Sequence, residues 1–255
     1  FKPGVAVQAR ELTQSQTILQ NQISNFADNI FKQNTPVTGG HVSVNNNTCY
    51  YIKLNTTYNG IPIVASSFLN KLISDTSGAI VAKVIATAEG TGTAGTAGDP
   101  PTIIVSYRSG VHFTDATDVL AADGSVTART IGNSGGKTCT GQSSVASINH
   151  GVFYVVNGWS KSSTVNPDGS YTTYSIGNFV NVAPQTVILS KYSNTPSVRI
   201  GLEITESIVD YIADASILDP AIGASNYQAP GADRYKIDLT LSSFPLVVDV
   251  TDPTF

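Results

Sequence analysis

The sequence predicts a mainly β protein of the α+β class, with one long N-terminal helix followed by antiparallel strands in a sandwich-like arrangement. Three observations lead to this prediction. Residues 9–33 contain neither proline nor glycine and carry apolar side chains at helical spacing. After Gly40 the apolar residues alternate with polar ones, which is typical of half-buried strands. Turn-forming dipeptides of Asn, Asp, Pro and Gly separate the alternating segments throughout.

The predicted helix carries a narrow apolar stripe, in which Gln16 occupies one position. The five predicted interface residues share this stripe, at spacings of seven, four, three and four: Leu12, Leu19, Ile23, Phe26 and Ile30. A stripe of two positions per heptad is typical of a coiled-coil seam, and a three-stranded bundle is one way to fill it. The alternative is a helix that lies across the chain's own sheet.

A first β-rich region is predicted over residues 38–148. Its strands alternate in polarity or are continuously apolar, and they are predicted at 41–44, 50–54, 61–64, 79–87, 102–107, 119–120 and 126–128. Hairpin turns are predicted at Asn59-Gly60 and Asp123-Gly124, since both dipeptides favour left-handed backbone. Residues 69–73 fit either a strand or a short helical turn.

A second β-rich region is predicted over residues 149–255, after the N-terminal helical region of residues 1–37. Its strands are predicted at 151–158, 179–182, 186–189, 198–204 and 235–241. Residues 166–169 are predicted as a turn, and residues 210–218 as a short helix stopped by Asp219-Pro220. The missing methionine and the apolar last residues predict that the sequence is part of a longer chain.

Composition argues against two classes of partner. Of the 255 residues only 13% are charged, the net charge is -4, and the 14 Lys and Arg residues are scattered. A nucleic-acid-binding surface needs clustered positive charge, and a membrane-spanning helix needs about 20 consecutive apolar residues. We therefore expect neither a nucleic-acid partner nor a membrane span.

Two segments match the residue pattern of nucleotide-binding motifs in part, but they lack other features that such sites require. Residues 90–95 match GxGxxG, but Pro100-Pro101 follows shortly and no long helix can start there. Residues 135–138 read Gly-Gly-Lys-Thr, yet Ile131 stands where a P-loop requires its first glycine. We therefore predict no cofactor and no cofactor-binding residue.

Catalytic and metal-binding residues are not predicted either. His41, His112 and His150 lack a ligand at helical spacing, and no pair of acids or nucleophile can be singled out. Cys49 and Cys139 are interpreted as two buried thiols in preference to a disulfide. These observations predict a protein that is not an enzyme, and low charge with a heptad helix favours a role in assembly.

Several stretches also resemble a family of bacteriophage virion proteins, structural components of contractile-tailed phages that are common among those infecting cyanobacteria. The stretches that carry the resemblance are residues 1–12 with 16–20, 149–158, 185–189 with 192–197 and 199–202, and 218–220 with 226–227 and 229–237. Residues 90–140 have no counterpart in it. The family carries a domain of unknown function, and no catalytic residue transfers from it.

The resemblance implies a location in the virion, as a baseplate component or as the N-terminal anchoring segment of a tail fibre that serves host attachment. It also implies a homotrimer that binds other tail or baseplate proteins. A trimer would give the predicted helix its partners.

A second hypothesis is a carbohydrate-binding adhesion module. In it Trp159, Tyr171 and Tyr174 would stack on glycans of the host surface. A glycan depolymerase is a weaker third hypothesis, because the sequence offers no identifiable acid pair. Residues 230–234, Pro-Gly-Ala-Asp-Arg, are interpreted as a turn with a surface ion pair rather than as a binding site.

Overall fold

The computed structural model confirms the predicted fold class. It describes residues 8–91, 98–157, 164–165, 171–172 and 176–246. Within these residues the chain has a single α-helix, α1 (Ala9–Asp28), followed by strands that pair antiparallel and by two short 3-10 helices, Ala65–Phe68 and Ala215–Ile217.

The first ten strands precede residue 130. They are β1 (Thr35–Gly39), β2 (Val42–Asn45), β3 (Tyr50–Lys53), β4 (Thr57–Tyr58), β5 (Ile61–Pro62), β6 (Leu72–Ser74), β7 (Val81–Ala88), β8 (Thr102–Ser109), β9 (Asp118–Ala121) and β10 (Thr127–Arg129). The later strands are β11 (Thr140–Gln142), β12 (Ser144–Ile148), β13 (Gly151–Asn157), β14 (Thr164–Val165), β15 (Tyr171–Thr172), β16 (Ile176–Val182), β17 (Gln185–Ser190), β18 (Val198–Val209) and β19 (Arg234–Pro245).

The chain divides into two compact units that are each assembled from separate segments. Unit 1 contains residues 1–41, 149–184 and 203–240, and unit 2 contains residues 42–148, 185–202 and 241–255. The sequence-based division into 1–37, 38–148 and 149–255 follows pattern changes along the chain and stays a prediction.

Unit 2 is built on a sheet that closes on itself. Seven strands pair in the order β10-β9-β6-β7-β8-β3-β11. Just past the ends of β3 and β10, Leu54 bridges to Thr130, and the backbone N–H of Asn55 donates to the carbonyl of Arg129 at 2.8 Å. These contacts join the two sides of the sheet, so β10, β9, β6, β7, β8 and β3 close into a six-stranded barrel, while β11 pairs with the rest of the same side of β3.

The barrel interior is a packed apolar core. Each of the six strands, or the residue that continues it, contributes alternate side chains, as a closed sheet requires. The strand members of the core are Ile52, Leu54, Ile73, Ala82, Val84, Ile103, Val105, Val119 and Ala128, and all are fully buried. Phe68, from the first 3-10 helix, and Phe113, from the loop after β8, complete it.

A second, smaller cluster lies on the outer face of the barrel. It contains Cys49, Ile104 and Val145, with Ile188 packed against them. The last two belong to the three-stranded sheet β17-β12-β2. Cys49 and Cys139 are both free and buried, which confirms the prediction of two thiols. Burial raises the pKa of Cys49 to about 11 and that of Cys139 to about 12, so both stay protonated near neutral pH.

Unit 1 contains α1, the sheet β1-β13-β16 and parts of the two-stranded sheet β18-β19. The helix packs on β16. It ends at Asp28 instead of Gln33, because the side-chain amide of Asn29 donates to the carbonyl of Asn25 and the chain then turns Phe31 toward the sheet.

The predicted helix over residues 210–218 is wrong except for the 3-10 turn at Ala215–Ile217. The carboxylate of Asp210 accepts the backbone N–H groups of Ile212 and Ala213, and that of Asp214 accepts the N–H of Ser216. Such side-chain bonds compete with the helical backbone bonds and favour successive turns.

Candidate functional site

Helix α1 is held on its own sheet by a face of small residues. Ser24 and Ala27 are its two buried residues. The hydroxyl of Ser24 accepts the backbone N–H of Gly177, on β16, at 2.9 Å. Next to this contact, the hydroxyl of Tyr154, on β13, donates to the carboxylate of Asp28 at 2.7 Å. Two hydrogen bonds between elements far apart in sequence therefore fix the end of the helix.

The Tyr154 hydroxyl lies deep in this contact. Tyr154 is fully buried, and burial together with the neighbouring Asp28 carboxylate raises the pKa of the phenol. Gly177 faces it so closely that a Cβ atom at this position would lie 1.8 Å from the Tyr154 oxygen. Position 177 of β16 therefore requires glycine, because any side chain there would clash with Tyr154. Rings of Phe31 and Phe179 pack around Tyr154, with centroids 5.3–6.0 Å apart, and close the apolar side of the contact.

The predicted interface stripe does not take part in this packing. Its five side chains are 42–67% exposed: Leu12, Leu19, Ile23, Phe26 and Ile30. The first four belong to α1, whereas Ile30 lies just past the end of the helix at Asp28. The helix does lie on the chain's own sheet, as the alternative predicts. It packs there through Ser24 and Ala27, which are roughly a quarter of a turn away from the stripe around the helix axis. Burial of the stripe against a partner stays a prediction.

The positions that flank the stripe are uncharged. In a coiled coil these positions usually carry the charges that select a partner and its orientation. Here they are Thr13, Ser15, Gln20 and Gln22. Nothing in the helix between Glu11 and Asp28 is ionisable, so two copies of it meet without charge repulsion.

The Gly-Gly-Lys-Thr segment encloses a carboxylate of the chain itself. Asp115, which is buried, accepts the hydroxyl of Thr138 and the backbone N–H of Cys139, each at 2.7 Å. A Cβ atom at Gly136 would lie 2.2 Å from the same carboxylate. The loop between β10 and β11 thus forms an anion-binding turn whose anion is internal.

Asp115 makes the barrel sensitive to acid. Burial raises its pKa, but the hydrogen bonds from Thr138 and Cys139 outweigh burial and lower the pKa to about 2, from an ordinary value of 3.8. A lowered folded-state pKa stabilises the protein above the unfolded value, and this contribution is lost as pH falls from about 4 through about 2.

We expect Asp115→Asn to remove this acid-dependent contribution. Urea unfolding of the wild type should weaken between pH 4 and pH 2, and the variant should show a flatter profile over that range. Asp123→Asn is the control. Asp123 also has a pKa of about 2, through Ser125 and Lys71, but its side chain is 54% exposed. Added salt should therefore diminish the Lys71 contribution to the Asp123 effect, while the effect of Asp115, which depends on Thr138 and Cys139, should stay in place. Equal slopes for wild type and Asp115→Asn would contradict this assignment.

Other predicted sites are only partly described. Trp159 and Tyr174 lie outside the described residues. Tyr171 lies in the short hairpin β14-β15. The last four residues of the GxGxxG match, 92–95, also lie outside them. The turn predicted at 166–169 cannot be compared for the same reason.

The three histidines occupy different places in the described chain. His41 and His150 are exposed near the β1–β13 pair, while His112 packs between Tyr50 and Tyr107, with ring centroids 4.2 and 4.8 Å away. Among the described residues, no three His, Cys, Asp or Glu side chains are grouped so that they could hold a metal ion. A search of the same residues for a helix long and apolar enough to cross a membrane finds none.

A scan against protein-family models and searches of curated proteins and of solved structures find no match to this chain.

Sequence reasoning found the stripe but missed the docking face. Ser24, Ala27 and Gly177 are too small to contribute to an apolar periodicity. The available signal was their size, because small residues permit close approach of a helix to a strand. Asp233-Arg234 was interpreted as a local ion pair, but Arg234 instead lies 3.9 Å from Asp214.

Proposed function

We propose that this protein is a non-enzymatic structural component of a phage tail, in the baseplate or as the anchoring segment of a tail fibre, which assembles with copies of itself through helix α1. The observation that carries the proposal is the arrangement of the helix. One face is fixed to the chain's own sheet by Ser24 and Ala27, while an adjacent uncharged heptad stripe stays exposed.

The energetics favour a partner on this stripe. Fully burying a large apolar side chain contributes about 1.5–3 kcal/mol. Five such side chains, which are 42–67% exposed, would therefore contribute several kcal/mol on association. Because the helix is already ordered on its sheet, association does not also have to fold it.

The resemblance to phage virion proteins supports the location in the virion. Two of the stretches that carry it, residues 149–158 and 185–189, correspond closely to β13 and β17. We propose a homotrimer, with Gln16 inside the seam, where a polar residue sets register at a cost in stability. Other tail or baseplate proteins and a host-surface glycan are proposed as further partners.

Removing the stripe is expected to dissociate the oligomer. Leu19→Ser with Phe26→Ser takes away two exposed stripe residues, and the mass measured by light scattering should fall from that of a trimer to that of a monomer. The matched control is Ile18→Ser. Ile18 is 50% exposed on the same helix but lies about a third of a turn from the stripe, so its replacement should leave the mass unchanged.

A wild-type chain that is monomeric at micromolar concentration, or a double variant that keeps the parental mass, would contradict self-association through α1. The location is tested separately. Cryo-electron microscopy of the intact phage particle should place copies of the chain in the tail, and a particle that lacks the chain would contradict the virion role.

A further inference from the structure

The connection between β18 and β19, residues 210–233, exposes large apolar side chains. Ile222 is 85% exposed, the highest value for a large hydrophobic side chain among the described residues, and Ile212 is 78% exposed. Tyr211 and Tyr227, in the same connection, are also exposed. Scattered single apolar residues are ordinary on a protein surface, but the two isoleucines are among the three most exposed large hydrophobic side chains of the described residues, which makes this connection a candidate interaction surface. We call residues 210–233 the hairpin loop.

The hairpin loop is ordered by its own hydrogen bonds. The Asp219 side chain accepts the backbone N–H of Ala221 at 2.8 Å, and its backbone carbonyl accepts the N–H of Gln228 at 3.0 Å. Leu218 and Pro230 form a β-bridge across the loop. The two isoleucines are therefore presented from a folded turn, so that a partner would not have to order the loop on binding.

The charge of the hairpin loop indicates what kind of partner it fits. The loop contains four aspartates, Asp210, Asp214, Asp219 and Asp233, and neither Lys nor Arg. The other 14 acidic residues of the chain equal its 14 Lys and Arg residues, so the loop holds the whole net charge of -4. Arg234, just outside the loop, lies 3.9 Å from the carboxylate of Asp214.

This charge distribution argues against a second copy as the partner. Two hairpin loops would repel each other, and the rest of the chain offers no net positive charge to attract one. The α1 stripe differs in this respect, because its flanking positions are uncharged and two identical copies can meet there without repulsion.

We infer that the hairpin loop is a docking element for a different protein, one that presents an apolar face flanked by Lys and Arg. Ile212 and Ile222 are the anchors that contact this apolar face, and the aspartates attract its basic flanks. In such interfaces buried apolar anchors supply most of the affinity, while rim charges steer the encounter and select the partner.

The test uses the full chain and a defined synthetic probe. The probe is a 14-residue helical peptide with leucines on one face and lysines on the other. Two control peptides change one property each: in the first Glu replaces every Lys, and in the second Ser replaces every Leu. Binding is measured by calorimetry at low and moderate salt, and hydrogen exchange locates the protected residues.

Four proteins are compared. Ile212→Ser with Ile222→Ser removes the anchors without changing the charge. Asp210→Asn with Asp219→Asn removes two charges but keeps a side-chain oxygen that can accept the same backbone N–H groups. The matched charge control is Asp75→Asn with Asp123→Asn, since these barrel aspartates also accept backbone N–H groups in turns. The fourth protein is the wild type.

The inference predicts that the Lys/Leu peptide protects residues 210–233 and binds the wild type at least about tenfold more tightly than either control peptide. The isoleucine variant should lose about tenfold in affinity, the Asp210/Asp219 variant should lose affinity mainly at low salt, and the Asp75/Asp123 variant should bind as the wild type does. Absence of binding, protection elsewhere, or equal loss in the Asp75/Asp123 variant would overturn the inference.

The mass of the Ile212→Ser/Ile222→Ser variant in solution tests the remaining alternative, in which a second copy of this chain binds the hairpin loop. If its mass in solution falls below that of the wild type, the hairpin loop contacts a second copy and the inference is wrong. An unchanged mass is the expected result. This outcome is independent of the α1 stripe, whose test uses Leu19 and Phe26.

Discussion

Gly177→Ala is expected to release helix α1 from its sheet. The new methyl group would lie 1.8 Å from the oxygen and 2.2 Å from the ring carbon Cζ of Tyr154, and neither atom can move away, because Tyr154 is fully buried. Either the tyrosine leaves its position between Phe31 and Phe179, or β16 shifts outward. The first movement breaks the hydrogen bond from Tyr154 to Asp28, and the second breaks the one from Gly177 to Ser24. We expect a loss of about 3 kcal/mol in the free energy of unfolding of unit 1, at the upper end of overpacking costs.

Hydrogen exchange reports this release directly. The amides of α1 should lose protection in Gly177→Ala, while those of the barrel keep it. Gly201→Ala is the matched control. Gly201 is also a strand glycine without left-handed backbone, and its added Cβ would lie 3.6 Å from Phe244, an ordinary contact. Unchanged protection of α1 in Gly177→Ala would show that the small-residue contact does not hold the helix.

The same variant links the helix contact to assembly. An α1 helix of 20 residues is marginal in water without a packing surface. If the sheet orders the helix for its partners, Gly177→Ala should also weaken the oligomer, although it leaves every stripe residue in place. The contact at Ser24 would then position the helix, and the exposed stripe would bind the partner copies.

Strands with clear alternation were predictable, while several shorter strands and two with unusual composition, β1 and β12, were not. β12 reads Ser-Val-Ala-Ser-Ile, and Ser144 at its start is buried. Its hydroxyl donates to the carbonyl of Ser193 at 2.9 Å, which offsets the cost of burial. That partner is 49 residues away in sequence, so no local pattern could indicate it. β1 was missed because Pro36 suggested a break, and the strand tolerates proline at the edge of its sheet.

The barrel closure is also beyond sequence patterns. Alternation in β3 and β10 predicts that each strand has a buried face, and this was correct. Which strands become neighbours depends on register over long distances, here between Leu54 and Thr130. The helix gives a similar lesson. Its stripe was predictable from heptad spacing, but the face that meets the sheet depends on Gly177, over 150 residues away.

Phe68→Ala is expected to destabilise unit 2 more than any surface change. Phe68 is fully buried in the barrel core, where it enters from the 3-10 helix that packs against β7 and β8. Truncating a buried phenylalanine removes its transfer free energy and leaves a cavity, which together cost about 3–5 kcal/mol. The neighbouring Leu69→Ala is the control, because Leu69 is 43% exposed and its loss should cost about 1 kcal/mol or less.

Urea unfolding measures the loss in the free energy of unfolding for both variants, and hydrogen exchange at the amides of the barrel strands assigns that loss to unit 2. The two variants differ by one position in the chain, so a large difference between them reports burial rather than local sequence. Phe68 lies in unit 2 and the α1 stripe in unit 1. A Phe68→Ala chain that still folds at low temperature should therefore keep the wild-type oligomeric mass. If the oligomer is lost together with barrel stability, assembly depends on unit 2 as well, and the proposal that α1 alone carries self-association is wrong.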